Sequence, residues 1–124
     1  MDVVRGRGGH DIARAQLAQQ AVAFAFCEPV EEIAAPTRRT RGAAHARQTA
    51  MYLAHIAFGM SLGRVAQAFG RDRSTVAYAC RVTEERRENG DFDDCLDRLE
   101  EFLRAAPARP DRPRRDREPP KRAA

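Results

Sequence analysis

The stretch Ser61–Glu85, SLGRVAQAFGRDRSTVAYACRVTEE, decides how the rest of this 124-residue chain is read. Leu62, Val65, Ala66 and Phe69 fall at i, i+3, i+4 and i+7, the spacing of one apolar stripe on a helix. Gly70 follows, a residue free to take the left-handed conformation that closes helices. Arg71, Asp72, Arg73, Ser74 and Thr75 come next, and behind them a second stripe of Val76, Ala79, Cys80 and Thr83. Asp72 or Ser74 is placed to cap this second helix by accepting its free N–H groups. A helix, a glycine turn and a helix opening on Arg, Ser and Thr form the pattern of a helix-turn-helix. The same spacing also suits a plain helical hairpin in a bundle, with a charged turn. Charge separates the two readings. Between Pro36 and Thr83 stand eight arginines (Arg38, Arg39, Arg41, Arg47, Arg64, Arg71, Arg73 and Arg81) against one acid, Asp72. Surfaces that serve only solubility mix both signs, so this segregation points to a polyanionic partner.

Upstream of the quoted stretch, Thr37–Gly42, TRRTRG, reads as a basic loop. As a solvated linker it would have no role. As an arm it would track phosphates or enter a narrow, electronegative minor groove, which favours arginine. Ala43–Gly59 then forms a helix with Ala46, Ala50, Leu53 and Ala57 on one stripe and Ile56 and Met60 adjoining. Small alanines let neighbours approach closely, which marks this as the central packing helix. Arg47 and Gln48 sit in its first turn, where N–H groups and a positive dipole end also point outward. His45 and His55 lie off a common face, so the spacing predicts no metal site. Further back, His10–Cys27 predicts a helix with Leu17, Ala21, Phe24 and Ala25 or Phe26 on one side. Asp11 near its start suits the helix dipole. Pro29 fits the first turn of a short helix, PVEEIAA, that Val30 and Ile33 anchor and Pro36 closes. Met1–Gly9 is rich in Gly and Arg and is expected to be disordered; neither it nor any other stretch fits a phosphate-binding G-x-x-x-x-G-K-[ST] loop.

Downstream, the second helix of the pair runs to a stop signal at Asn89-Gly90. Asp91 is expected to cap a last helix whose stripe is Phe92, Cys95, Leu96, Leu99, Phe102 and Leu103, with Asp93 and Asp94 at its positive end. That acidic helix should pack across the back of the domain. Residues 106–124 are rich in Pro and Arg without hydrophobic pattern and are expected to stay disordered. The ordered part, residues 10–105, thus makes one domain, and 124 residues leave no room for a second core. Abundant alanine with sparse valine and isoleucine predicts an all-α fold, a small helical bundle containing a helix-turn-helix. The longest apolar run, Ala21–Cys27, is too short to span a bilayer, and the N-terminus lacks the apolar core of a secretory signal. Cys27, Cys80 and Cys95 are odd in number and show no C-x-x-C pairing, so they read as reduced cytoplasmic thiols.

With these residues in place, RRTRGAAHARQTAMYLAHIAFGMSLGRVAQAFGRDRSTVAYACRVTEE resembles the C-terminal DNA-binding domain of the bacterial chromosomal replication initiator family, DnaA. The family pattern runs R-R-x-R, a small-residue spacer, R-Q-x-A-M-x-L, then S-L-x-x-[IV]-x-x-A-F-G-x-R-D-x-[ST]-T-V-x-x-A-C-R. The resemblance implies that Arg39, flanked by Arg38 and Arg41, enters the minor groove. It implies that Arg71, Asp72, Arg73, Ser74 and Thr75 read the major groove, with Gln48 near the DNA backbone; Arg47 beside it matches the pattern and is a further DNA-binding candidate. The chemistry agrees: Asp can accept from a cytosine amine, Arg can pair bidentately with guanine, and Thr can meet a thymine methyl. Arg73 and Tyr78 stand where the family carries His, Ala46 where it carries Pro, and the turn has one Gly where many members have two. These departures touch the reading head, so the preferred site is open to change. The family's initiators also carry an ATPase module for which this chain shows neither room nor phosphate loop.

The sequence therefore predicts a sequence-preferring binder of double-stranded DNA, with sites like the initiator's own box as candidate targets. Its expected role is modulation of replication initiation or transcription, as a cytoplasmic, nucleoid-associated monomer with no cofactor, metal or catalytic site. The competing reading is a protein-interaction module that retains the fold without binding DNA.

Overall fold

The computed structural model describes residues 2–35 and 40–106, with side chains from Gly9 onward. Arg38 and Arg39, most of the basic loop, and the tail from residue 107 lie outside the described residues. The described residues form six helices and no strand: α1 (Asp2–Phe26), α2 (Val30–Ala34), α3 (Arg41–Ala57), α4 (Leu62–Phe69), α5 (Arg73–Arg86) and α6 (Gly90–Ala105). The protein is all-α, as its composition predicts. None of these helices is long and apolar enough to cross a membrane.

The central helix is α3, and it is buried on nearly every side. One side packs Ala46, Ala50, Tyr52 and Leu53 against Ala18 and Val22 of α1, Ile33 of α2, and Leu96 and Leu103 of α6. The other packs Met51 and Ala54, with Met60 beyond the helix, against Val65 and Ala66 of α4 and Val76 and Ala79 of α5. The two helices of the quoted stretch are thus fixed on one flank of α3, and α1 and α6 support it from the other. Each fully buried Leu, Ile, Val or Met side chain contributes about 1.5–3 kcal/mol, so this arrangement is held mainly by burial.

Caps set the helix bounds. Thr40 Oγ1 accepts from the Ala43 N–H at 2.9 Å, starting α3 two residues before the expected Ala43. Ser61 Oγ accepts from the Arg64 N–H at 3.2 Å to start α4. Gly70 ends α4 with φ 67°, and the Gly70 and Arg71 N–H groups bond back to the Gln67 and Ala66 carbonyls. That is a Schellman closure, which needs a left-handed residue where Gly70 stands. Asp72 takes the capping place of α5, but its carboxylate makes no capping bond. For α6 the expectation is corrected: Asn89 is the cap, its Oδ1 accepting from the Phe92 N–H at 3.1 Å, and Asp91 lies within the first turn. At the other end of the chain the backbone is helical from Asp2, eight residues ahead of the expected His10. Extending a formed helix costs far less than nucleating one, so a glycine-rich leader can follow α1.

Two arginine clusters tie distant elements together. Arg64 of α4 donates from Nε and Nη2 to both carboxylate oxygens of Asp11 on α1, at 3.0 and 2.6 Å. Arg87, just after α5, donates to Asp93 (2.5 Å), Asp97 (2.5 Å) and Glu100 (2.6 Å) of α6. Its Nη1 also reaches the Tyr52 hydroxyl of α3 at 3.1 Å, and that hydroxyl donates to Glu84 at 2.9 Å. Burial first, and the Glu84 carboxylate with it, push the Tyr52 phenol up to about 12 against the pull of Arg87. Tyr52 therefore remains a donor at any physiological pH.

Candidate nucleic-acid interface

The first turns of α3 and the exposed side of α5 face each other across an open cleft of about 660 Å³. Its walls carry Arg41, Gln48, Arg71, Thr75, Tyr78 and Arg86, with Arg47 and His45 also lining it. Among the described residues no acidic side chain lines it. A cavity whose only formal charges are guanidinium groups concentrates positive potential, which suits a phosphate backbone.

The residues singled out in the sequence fall into three groups. Asp72, Arg73, Ser74 and Thr75 are exposed at the N-terminal end of α5, and their side chains make no hydrogen bond to the described residues. Standing at a positive helix terminus, they form a polar edge that can be offered to a ligand. Arg41 is likewise exposed, at the first position of α3. Arg47 and Arg71 line the cleft with their guanidinium groups tied to backbone carbonyls. Arg47 is 7% exposed, and its Nε and Nη2 donate to the Ile33 and Glu32 carbonyls at 2.8 and 3.2 Å. Arg71 Nη2 donates to the Ala35 carbonyl at 2.6 Å. Together they hold residues 32–35, the chain segment that leads into the basic loop. Gln48 is half-buried, and its Oε1 accepts from Arg86 Nη1 at 2.9 Å.

The charge count in the sequence therefore overstates the free cationic face. Arg47, Arg64 and Arg71 have partners inside the protein, whereas Arg41 and Arg73 are exposed, and Arg81 is exposed with Glu85 3.8 Å away. In compensation, the fold adds Arg86, which the sequence reading gave no contact. Arg86 enters the cleft from α5, eleven residues and about three turns after Thr75, on the same face of the helix. Its place among Glu84, Glu85 and Glu88 hid it, but that spacing could have revealed it. Tyr78, 49% exposed, extends the same wall, and the Arg81 guanidinium stacks 5.2 Å from its ring centre.

His45 closes one end of the cleft, its ring 5.5 Å from those of both Phe26 and Phe92. Its Nε2 is buried and has no hydrogen-bond partner among the described residues. Burial first, then the nearby Arg86 charge, hold its imidazole below the ordinary value of 6.5. On unfolding, the ring would take up a proton near pH 6.5 that the folded site resists. Stability is therefore complete above that pH and falls as the pH drops through it toward the lower folded value. Urea midpoints measured from about pH 7.5 down to about pH 5 should show this decline, and His45→Phe should flatten it.

Three carboxylates, Asp93, Asp94 and Asp97, come within 4.8 Å of one another on α6. Arg87 already bonds two of them, which accounts for their gathering without a metal.

A family model described as the bacterial dnaA protein helix-turn-helix matches residues 15–82. The chromosomal replication initiator protein DnaA of Mycobacteroides abscessus is 48% identical over 54 residues, which are 44% of this chain and 11% of that protein. A solved crystal structure described as a DNA replication initiation factor superposes with a TM-score of 0.70 at 27% identity. That match covers 82% of this chain and 31% of the solved one. The chain thus spans a small part of the length of both relatives.

Proposed function

The chain belongs to the bacterial DnaA helix-turn-helix family, and on that premise we propose that it binds double-stranded DNA with a preference for particular sequences. The observation that carries this reading is the exposed edge Asp72–Thr75, unpartnered within the described residues and continuous with a cleft charged only by arginines. A helix end bearing Arg, Ser and Thr fits the major groove, where such side chains discriminate base edges. Arg41, Gln48 and Arg86 then meet the phosphates alongside, and Tyr78 adds surface to the same wall. Arg47 and Arg71 act mainly by fixing the segment before the basic loop, which would set where Arg38 and Arg39 enter the minor groove. With Arg73 in the reading head, the preferred sequence is expected to differ from the family's usual site. Binding of this kind, in the cytoplasm, would modulate replication initiation or transcription by occupying initiator-type sites.

The test is a fluorescence anisotropy titration against a random duplex and a duplex carrying an initiator-type site, at several salt concentrations. Binding should weaken steeply with salt, with a log–log slope of roughly 0.9 for each phosphate neutralised. A library selection on the same protein would return an enriched motif. Failure to bind any duplex at low salt would leave the protein-interaction reading in its place.

A further inference from the structure

On a different wall of the molecule, α1 and α6 leave an apolar groove of about 480 Å³ lined by Leu17, Gln20, Ala21, Phe24, Leu99 and Phe102. Phe24 is 88% exposed and Phe102 54% exposed, two aromatic rings open to solvent on one apolar face. Residues 15–27 of α1 and its end contain no charged side chain, in a chain where 32% of residues are charged. The groove shares no lining residue with the cationic cleft.

We propose that this groove is an interface for a second copy of the same chain. The protein's own tail does not suit it: residues 107–124 contain no aromatic residue and no aliphatic side chain larger than alanine apart from proline. A second copy does suit it, because one face supplies both the groove and the exposed rings of Phe24 and Phe102 that form its walls. That is the self-complementarity that a two-fold interface requires. The rim agrees. Arg98 and Glu101 of α6 are exposed, neither makes an ion pair or hydrogen bond among the described residues, and they flank Leu99 and Phe102 in sequence. Set antiparallel across a two-fold axis, the α6 helices bring Arg98 of each copy to Glu101 of the other. The size of the patch fixes the strength. Two partly exposed rings, at roughly 200 Å² each, and their neighbours offer on the order of 300–400 Å² per copy. The total is below the roughly 1,200 Å² of a stable complex, so the dimer is weak and the protein is monomeric when dilute.

Sedimentation equilibrium without DNA, from about 10 µM to about 1 mM, tests this independently of any DNA-binding reading. The average mass should rise with concentration from 13.9 kDa toward twice that value. Phe24→Glu, at a position with almost no contacts to lose, should abolish the rise while leaving the circular dichroism spectrum unchanged. Arg98→Glu should weaken association several-fold, and the double reversal Arg98→Glu/Glu101→Arg should restore it. A mass that stays at the monomer value throughout would overturn the proposal. So would self-association that survives Phe24→Glu, or a double reversal that fails to recover what the single one lost.

Discussion

Replacing Arg87 with alanine is expected to lower the stability of the fold by about 2–3 kcal/mol, more than any change on the cationic face. The Arg87 side chain is 14% exposed and bonded to Asp93, Asp97 and Glu100, and it also reaches Tyr52. Removing it would leave Asp93 and Asp97 with no opposing charge among the described residues and Glu100 with Arg104 alone. A fully buried pair broken in this way costs about 3–5 kcal/mol. The figure here is smaller because Asp97 and Asp93 are 62% and 39% exposed, so water recovers part of the loss. Only Glu100 is as buried as its partner, and it retains Arg104 at 3.1 Å. Urea unfolding followed by circular dichroism measures the change directly. A loss under about 0.5 kcal/mol would mean that apolar packing alone seats α6 on α3.

The second large effect concerns recognition. Arg73→Ala combined with Thr75→Ala is expected to remove most of the discrimination between a selected site and random DNA. A base-edge contact is worth about 1–3 kcal/mol of discrimination, roughly tenfold to a hundredfold, so losing two should bring the two duplexes close together. Stability should change by less than about 0.5 kcal/mol, since both side chains are exposed and neither is hydrogen-bonded within the described residues. Competition titrations with both duplexes separate the outcomes. An equal loss on every sequence would place these residues on phosphates, with the specificity residing elsewhere.

The helix-turn-helix was legible because local chemistry writes it. The stripes of α4 and α5 and the left-handed Gly70 depend on neighbours within a few positions, and the structure reproduces them. The central place of α3 was equally readable from its alanines. What escaped was set by contacts between residues far apart in the chain. Arg64 looked like one more cation for a polyanion, but its partner Asp11 lies 53 residues upstream. Arg47 binds carbonyls 14 and 15 residues away, and Arg71 one 36 residues away. No charge count along the chain can reveal such pairings. The start of α6 was misplaced for a simpler reason: Asn89 both follows α5 and caps α6, and reading it as a terminator hid its second task.

The central claim is that the duplex lies against the first turns of α3 and α5, and the most direct measurement is an amide NMR titration of the protein with a short duplex. The largest shift changes should fall on Arg41–Gln48, Arg71–Tyr78 and Arg86, with α1 and α6 little affected. Changes concentrated on the groove of Leu17, Phe24 and Phe102 instead, with Arg73–Thr75 unmoved, would contradict it.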